Sequence, residues 1–181
     1  DNSAQPQCPW QVNIYSCTMA PSNHNVLYAG PETGGLFKTT DKGLNWALVL
    51  DIPSTVPFTA VAVHPTDPNI VYAGNNGIIY MSTNGGTSWT SQSPACGEVH
   101  AISIRPGTPT TIFAACQNGL FTSTNSGASW SVVSGMTTAC YDVLFKTDND
   151  NIVFAFIVVS GFTQFWRSTD AGVTFAASIT G

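Results

Sequence analysis

Short apolar runs separated by polar turns follow one another along the whole chain, and within a run larger and smaller residues alternate. Residues 58–63 read Phe-Thr-Ala-Val-Ala-Val, and residues 64–69 are a polar turn holding two prolines. An apolar run follows at 70–73, another at 78–81, and a fourth starts at Trp89. Runs of this length, bounded by Pro, Gly, Asn and Asp, predict strands, and no segment carries a helical period. The same order recurs along the chain. First strands are expected at 14–19, 58–63, 99–104 and 140–145, and second strands at 26–29, 70–73, 112–115 and 152–155. Third strands carry Leu36 and Phe37, Ile79 and Tyr80, Leu120 and Phe121, and Phe165 and Trp166. Repeat four has extra residues around Ser160, Gly161 and Phe162, which lengthen the hairpin between its second and third strands.

Between the third and fourth runs one motif is written four times: Ser or Thr, any residue, Asp or Asn, any residue, Gly, two residues, then Trp or Phe. Its copies carry Asp41, Gly43 and Trp46; Asn84, Gly86 and Trp89; Asn125, Gly127 and Trp130; and Asp170, Gly172 and Phe175. The Asp/Asn positions are 43, 41 and 45 residues apart, the kind of period that marks a repeat architecture. Asp or Asn folds its side chain onto nearby backbone N–H groups and holds a turn. The Gly takes positive φ without a steric cost. The aromatic then opens a strand and is expected to be buried.

The motif resembles the Asp-box (BNR) repeat of sialidases, sortilin-type receptors, xyloglucanases and secreted bacterial propellers. The resemblance covers nearly the whole chain and implies an all-β fold, a β-propeller of four-stranded antiparallel blades. It also implies that the box is a peripheral structural hairpin, so it says little about activity. The expected layout is a lead-in segment at 1–9 and a propeller at 10–181, with repeats at 10–52, 53–93, 94–135 and 136–181. First and last strands both belong to whole repeats, so no spare strand is available to clasp a ring. The four blades are therefore expected either to close on themselves or to form part of a larger propeller.

Composition narrows the function classes. Of 181 residues 43% are apolar and 8% charged, about a third of the usual charged fraction. A net charge of −5 with no basic cluster argues against nucleic acid as a partner. No apolar run is long enough for a membrane helix. The chain opens at Asp1 without a signal peptide, as a mature N-terminus would. Five cysteines beside so little Lys and Glu suggest a protein that is secreted or held at the cell surface.

Catalysis finds little support. Glycoside hydrolysis generally needs two flanking carboxylates. Once the turn acids are set aside, the internal candidates are Glu32, Asp51, Glu98 and Asp142. A sialidase would also need three arginines, and the chain has only Arg105 and Arg167. His24, His64 and His100 occupy different repeat positions and show no metal spacing, so no metal or cofactor is expected. The starts of the first strands and the loops between second and third strands share one end of a propeller. That end is expected to present Tyr15, Glu32, Glu98, His100, Tyr141 and Asp142, aromatic rings beside carboxylates suited to a sugar or peptide; ordinary packing at the channel mouth is the competing reading.

The preferred function is non-catalytic binding or assembly outside the cell. Its partner would be an extracellular protein or polysaccharide, or further copies of the chain in a fibre. The alternative is a fragment of a xyloglucanase-like hydrolase. Cys17 aligns with Val61, Ile102 and Val143 and is expected to be a buried thiol. Cys96 and Cys116 flank paired strand ends, where a disulfide fits. That leaves Cys8 with Cys140, a pairing that requires a ring closed after four blades. Cys116 with Cys140 is the other possibility.

Overall fold

Each repeat forms its own antiparallel four-stranded sheet with strands in chain order. Blade 1 holds β1 (Ile14–Ala20), β2 (Asn23–Pro31), β3 (Leu36–Thr39) and β4 (Ala47–Leu50). Blade 2 holds β5 (Ala60–Val63), β6 (Val71–Gly74), β7 (Ile79–Ser82) and β8 (Thr90–Gln92). Blade 3 holds β9 (Val99–Ile104), β10 (Ile112–Cys116), β11 (Gly119–Ser123) and β12 (Ser131–Val132). Blade 4 holds β13 (Cys140–Lys146), β14 (Asn149–Val159), β15 (Phe162–Ser168) and β16 (Ala176–Ala177). The computed structural model describes residues 13–52 and 56–178. The lead-in 1–9, with Cys8, lies outside them.

Period-two alternation gives each blade two faces, and consecutive blades stack face on face as β-propeller blades do. The first strands β1, β5, β9 and β13 touch in succession and form the inner wall, while the last strands lie at the rim. The second face of blades 1, 2 and 3 carries small residues near the inner wall. Ser16 and Gly30, Ala60 and Gly74, and Ala101 and Ala115 are paired neighbours there. The next blade presses its leading residue into that space. A Cβ on Gly30 would lie 2.6 Å from the Phe58 carbonyl oxygen, and one on Gly74 would lie 2.5 Å from a Val99 methyl. Phe58, Val99 and Cys140 are accordingly buried.

The strand pairing corrects one alignment. Ser82 faces Val71 and Ser123 faces Ile112, so the second strand of repeat three matches the others as 111–114. Tyr28, Tyr72, Phe113 and Phe154 then occupy one equivalent position. The first three are buried against the following blade. The Tyr28 hydroxyl donates to the Pro68 carbonyl at 3.4 Å and the Tyr72 hydroxyl to the Ser126 carbonyl at 3.1 Å. Burial pushes both phenols up to about 12.

The repeated turn is built the same way four times. Backbone N–H groups of Gly43, Gly86, Gly127 and Gly172 donate to the hydroxyls of Thr39, Ser82, Ser123 and Ser168 at 2.8–3.0 Å. Those of Asn45, Ser88, Ser129 and Thr174 donate to side-chain oxygens of Asp41, Asn84, Asn125 and Asp170 at 2.8–2.9 Å. Two successive residues take positive φ, as at Gly85 (68°) and Gly86 (93°), which aims several N–H groups at one acceptor. Asn serves as well as Asp because only an acceptor oxygen is required.

Two expectations about burial are corrected. Trp46, Trp89, Trp130 and Phe175 are partly buried rather than buried. They sit at the rim, and each indole N–H turns back to its own turn, donating to the carbonyls of Gly43, Gly86 and Gly127 at 3.1–3.2 Å. Cys17 is exposed rather than buried. It lies on the first face of blade 1, whereas its counterparts Val61, Ile102 and Val143 lie against a preceding blade. Among the described residues no comparable contact joins β13 to β1, so the described blades make an open arc.

Candidate functional site

The inner strands start with an irregularity that places side chains at the axial mouth. The register slips by one residue between Ile14 and Ser16, at the β9 start beside Cys116, and between Cys140 and Asp142. Tyr15, His100 and Tyr141 are the residues released from the ladder. A bulge of this kind bends the strand and re-aims a side chain, and bulges are common beside binding sites. Three of the six expected site residues are therefore one structural position used in three blades.

The structure brings two of them together. The rings of His100 and Tyr141 are stacked, 4.9 Å between centroids at 26°. Tyr141 is 52% exposed, so the pair offers an aromatic face to solvent. Glu98 precedes His100, is exposed, and forms an isolated bridge with Asn76 of blade 2. Asp142 follows Tyr141; its carboxylate accepts the Val143 N–H at 2.8 Å and it is exposed. Blades 3 and 4 thus supply two rings and two acids at one end of adjacent inner strands. Tyr15 is equally exposed but stands on blade 1, with blade 2 between it and the pair. Glu32 is also on blade 1, partly buried, and accepts a hydrogen bond from Asn13 at 3.2 Å. Blade 2 has Thr59 in place of an aromatic, and its hydroxyl donates to the Val99 carbonyl.

Three thiols lie just beneath this mouth. Cys96, Cys116 and Cys140 are free and wholly buried. Cys96 and Cys116 are side by side with their thiols in hydrogen-bond contact, which pushes Cys116 far up and Cys96 down. Their backbones are clamped as well, since Asn118 N–H donates to the Cys96 carbonyl at 2.9 Å. Burial pushes Cys140 up to about 12. Cys116 and Cys140 are therefore held as inert thiols in this form.

Elsewhere the surface holds shallow grooves between blades at the rim. One of about 370 Å³ separates blades 3 and 4 and is lined by Arg105, Phe113, Thr122, Val133 and Gly172. Arg105 is held there by Asp150 at 3.0 Å and by Asn151 at 2.8 Å. No carboxylate lines this groove, so it offers no acid–base pair. Among the described residues no group of His, Cys, Asp and Glu is arranged to hold a metal. Among them, too, no helix is long and apolar enough to cross a membrane.

The chain matches no protein-family model and no curated protein. Solved structures do share its fold. An ancestral GH74 enzyme superposes with a TM-score of 0.75 at 23% identity over 91% of this chain and 24% of that one. The GH74 xyloglucanase from Xanthomonas campestris gives 0.73 at 16% identity over 90% and 29%. The GH74 enzyme of Niastella koreensis gives 0.73 at 19% identity over 91% and 30%. The chain thus spans less than a third of each of these structures. At such identities the likeness establishes the β-propeller fold.

Proposed function

We propose that this chain is a polysaccharide-binding propeller sector of an exported protein, with Asp-box hairpins at its rim. The observation that carries the reading is the exposed Tyr141 ring, stacked on His100, with the exposed acids Glu98 and Asp142 close by along the same two strand starts. Flat aromatic faces take the apolar faces of sugar rings, and carboxylates accept their hydroxyls. The GH74 neighbours, one of them named a xyloglucanase, make a xyloglucan-like glucan the first substrate class to test. The Asp-box reading is supported by the four identical turns, in which the acid or amide binds backbone and leaves no free carboxylate for chemistry.

Affinity electrophoresis in gels cast with xyloglucan tests this. Wild type should be retarded, Tyr141→Ala should migrate freely, and Tyr15→Ala should change little. Retardation that persists in Tyr141→Ala would sink the assignment. A second reading, a sector of a glycoside hydrolase, rests on the same neighbours. Release of reducing sugar that disappears in Glu98→Gln or Asp142→Asn would establish it.

Export also gives the buried thiols a role. We infer that Cys96 and Cys116 are oxidised there to a disulfide, two protons and two electrons passing to a disulfide-carrying oxidant of that compartment. Their contact across paired strand ends supports this, and the reading leaves Cys140 a thiol. Cys8, its expected partner, lies outside the described residues.

A further inference from the structure

We propose that the second face of blade 4 is the surface on which two copies of this chain pair, sheet against sheet. Strand register fixes what that face holds. Asp142 on β13 lies beside Phe156 on β14 and Phe165 on β15, and Leu144 lies beside Phe154 and Arg167. Directly paired residues share a face. Along β14 the residues of the opposite face, Val153, Ala155 and Ile157, are buried, while Phe154 and Phe156 are only partly covered. Leu144 is 39% exposed, though its strand neighbours Val143 and Phe145 are buried. Phe165 packs against both phenylalanines, at 5.2 and 5.0 Å between centroids. The result is a contiguous apolar patch of ordered rings, of the composition found at the centres of protein interfaces.

The three blade junctions inside the chain show what this face is not built for. At the position of Phe156 the other blades have Gly30, Gly74 and Ala115, and a Cβ alone there would strike the following blade in two of them. Beside it, Ser16, Ala60 and Ala101 are replaced by Asp142, and Thr18, Ala62 and Ser103 by Leu144. A blade docked in the same pose would meet the Phe156 ring. That argues against a head-to-tail junction with blade 1 of another copy, whose leading residue is Ile14.

A face turned onto its own likeness fits better. Asp142 and Arg167 are both exposed and stand at opposite corners of the patch. The two-fold axis that exchanges these corners lays each Asp142 over the Arg167 of the other copy, twice per dimer, and brings Leu144 against Leu144. Self-complementarity about a two-fold axis is the property of an isologous interface. The two sheets would then cross at a steep angle, one of the two standard modes of sheet packing. This inference does not depend on the sugar-binding reading.

Sedimentation equilibrium of the full chain at micromolar concentration tests it. The expected mass is twice the 19.1 kDa of the chain. Phe154→Lys should weaken pairing by about 100-fold. Asp142→Lys or Arg167→Glu alone should weaken it by about tenfold, and the double exchange should restore it. Far-ultraviolet circular dichroism establishes that each variant is folded. As a second measurement, Leu144→Cys in a Cys17→Ser background should form a crosslink between two copies of position 144, identified by peptide mass. A monomer at these concentrations would overturn the proposal. So would a dimer indifferent to Phe154 and Arg167 but weakened by Met19→Lys on the first face of blade 1.

Discussion

Asp41 and Asp170 show how much a single acceptor does in this fold. Hydrogen bonds from the Asn45 side chain and backbone hold the Asp41 carboxyl down to about 2, and those from Thr174 do the same for Asp170. A carboxyl whose folded value lies below its unfolded value of 3.8 stabilises the fold above that unfolded value. The contribution is lost as pH falls towards the folded value. Thermal melting should therefore be flat above about pH 5 and fall between about pH 4 and 2. The double variant Asp41→Asn, Asp170→Asn should fold, because blades 2 and 3 already use Asn, and should lose most of that slope. An unchanged slope would show that the turns do not control acid stability. At the rim, Trp89 donates to its own Gly86 carbonyl and also to Val49 of blade 1 at 2.8 Å. Trp89→Ala should cost about 2–3 kcal/mol in urea denaturation, below the figure for a fully buried tryptophan. Trp130→Ala should cost less, since among the described residues its N–H donates to its own turn alone.

At the scale of elements, the junction between blades depends on having almost nothing at one position. Gly74 has ordinary backbone angles, so the demand there is for space rather than for conformation. Gly74→Val should cost about 1–3 kcal/mol by overpacking against Val99 and Ile102, read as a lower urea midpoint with an unchanged m-value. Tolerance of valine would mean that the blades sit further apart. The hairpin between β14 and β15 runs to Val159 and Phe162 and leaves Phe162 75% exposed at its tip. The extra residues noticed around Ser160 are spent on length. Ser160 and Gly161 make the turn itself, with φ of 52° and 83°.

On the scale of the whole molecule, the described blades form an arc with an open first face and an open last face. The first exposes Ile14, Tyr15, Cys17 and Met19; the last exposes Leu144 beside three partly buried phenylalanines. If Cys96 and Cys116 are joined, the bond closes a loop of about 20 residues and should stabilise blade 3 by about 3 kcal/mol in the chain-entropy model. Reduction by dithiothreitol should then lower the melting temperature of the native protein, and Cys96→Ser should remove the difference. A melting temperature indifferent to reduction would leave the pair as thiols.

The sequence by itself determined what is local and periodic. Four repeats, their strand order, the turn with its Ser or Thr, Asp or Asn and Gly, and the alternation of large and small faces are all written at fixed offsets, because strand period and turn geometry act over a few residues. What the offsets could not show was coverage. Cys17 aligns with Val61, Ile102 and Val143, which are buried or partly buried, and is exposed, while Phe154 aligns with three buried aromatics and is only partly buried. Burial at such positions is conferred by the next sheet, and an arc has two ends. Nor could spacing alone reveal the register slips that release Tyr15, His100 and Tyr141 from the strand ladder, or bring only the last two into contact. A bulge is a property of two paired strands, and stacking depends on which blades are neighbours, so both were decided by the tertiary structure.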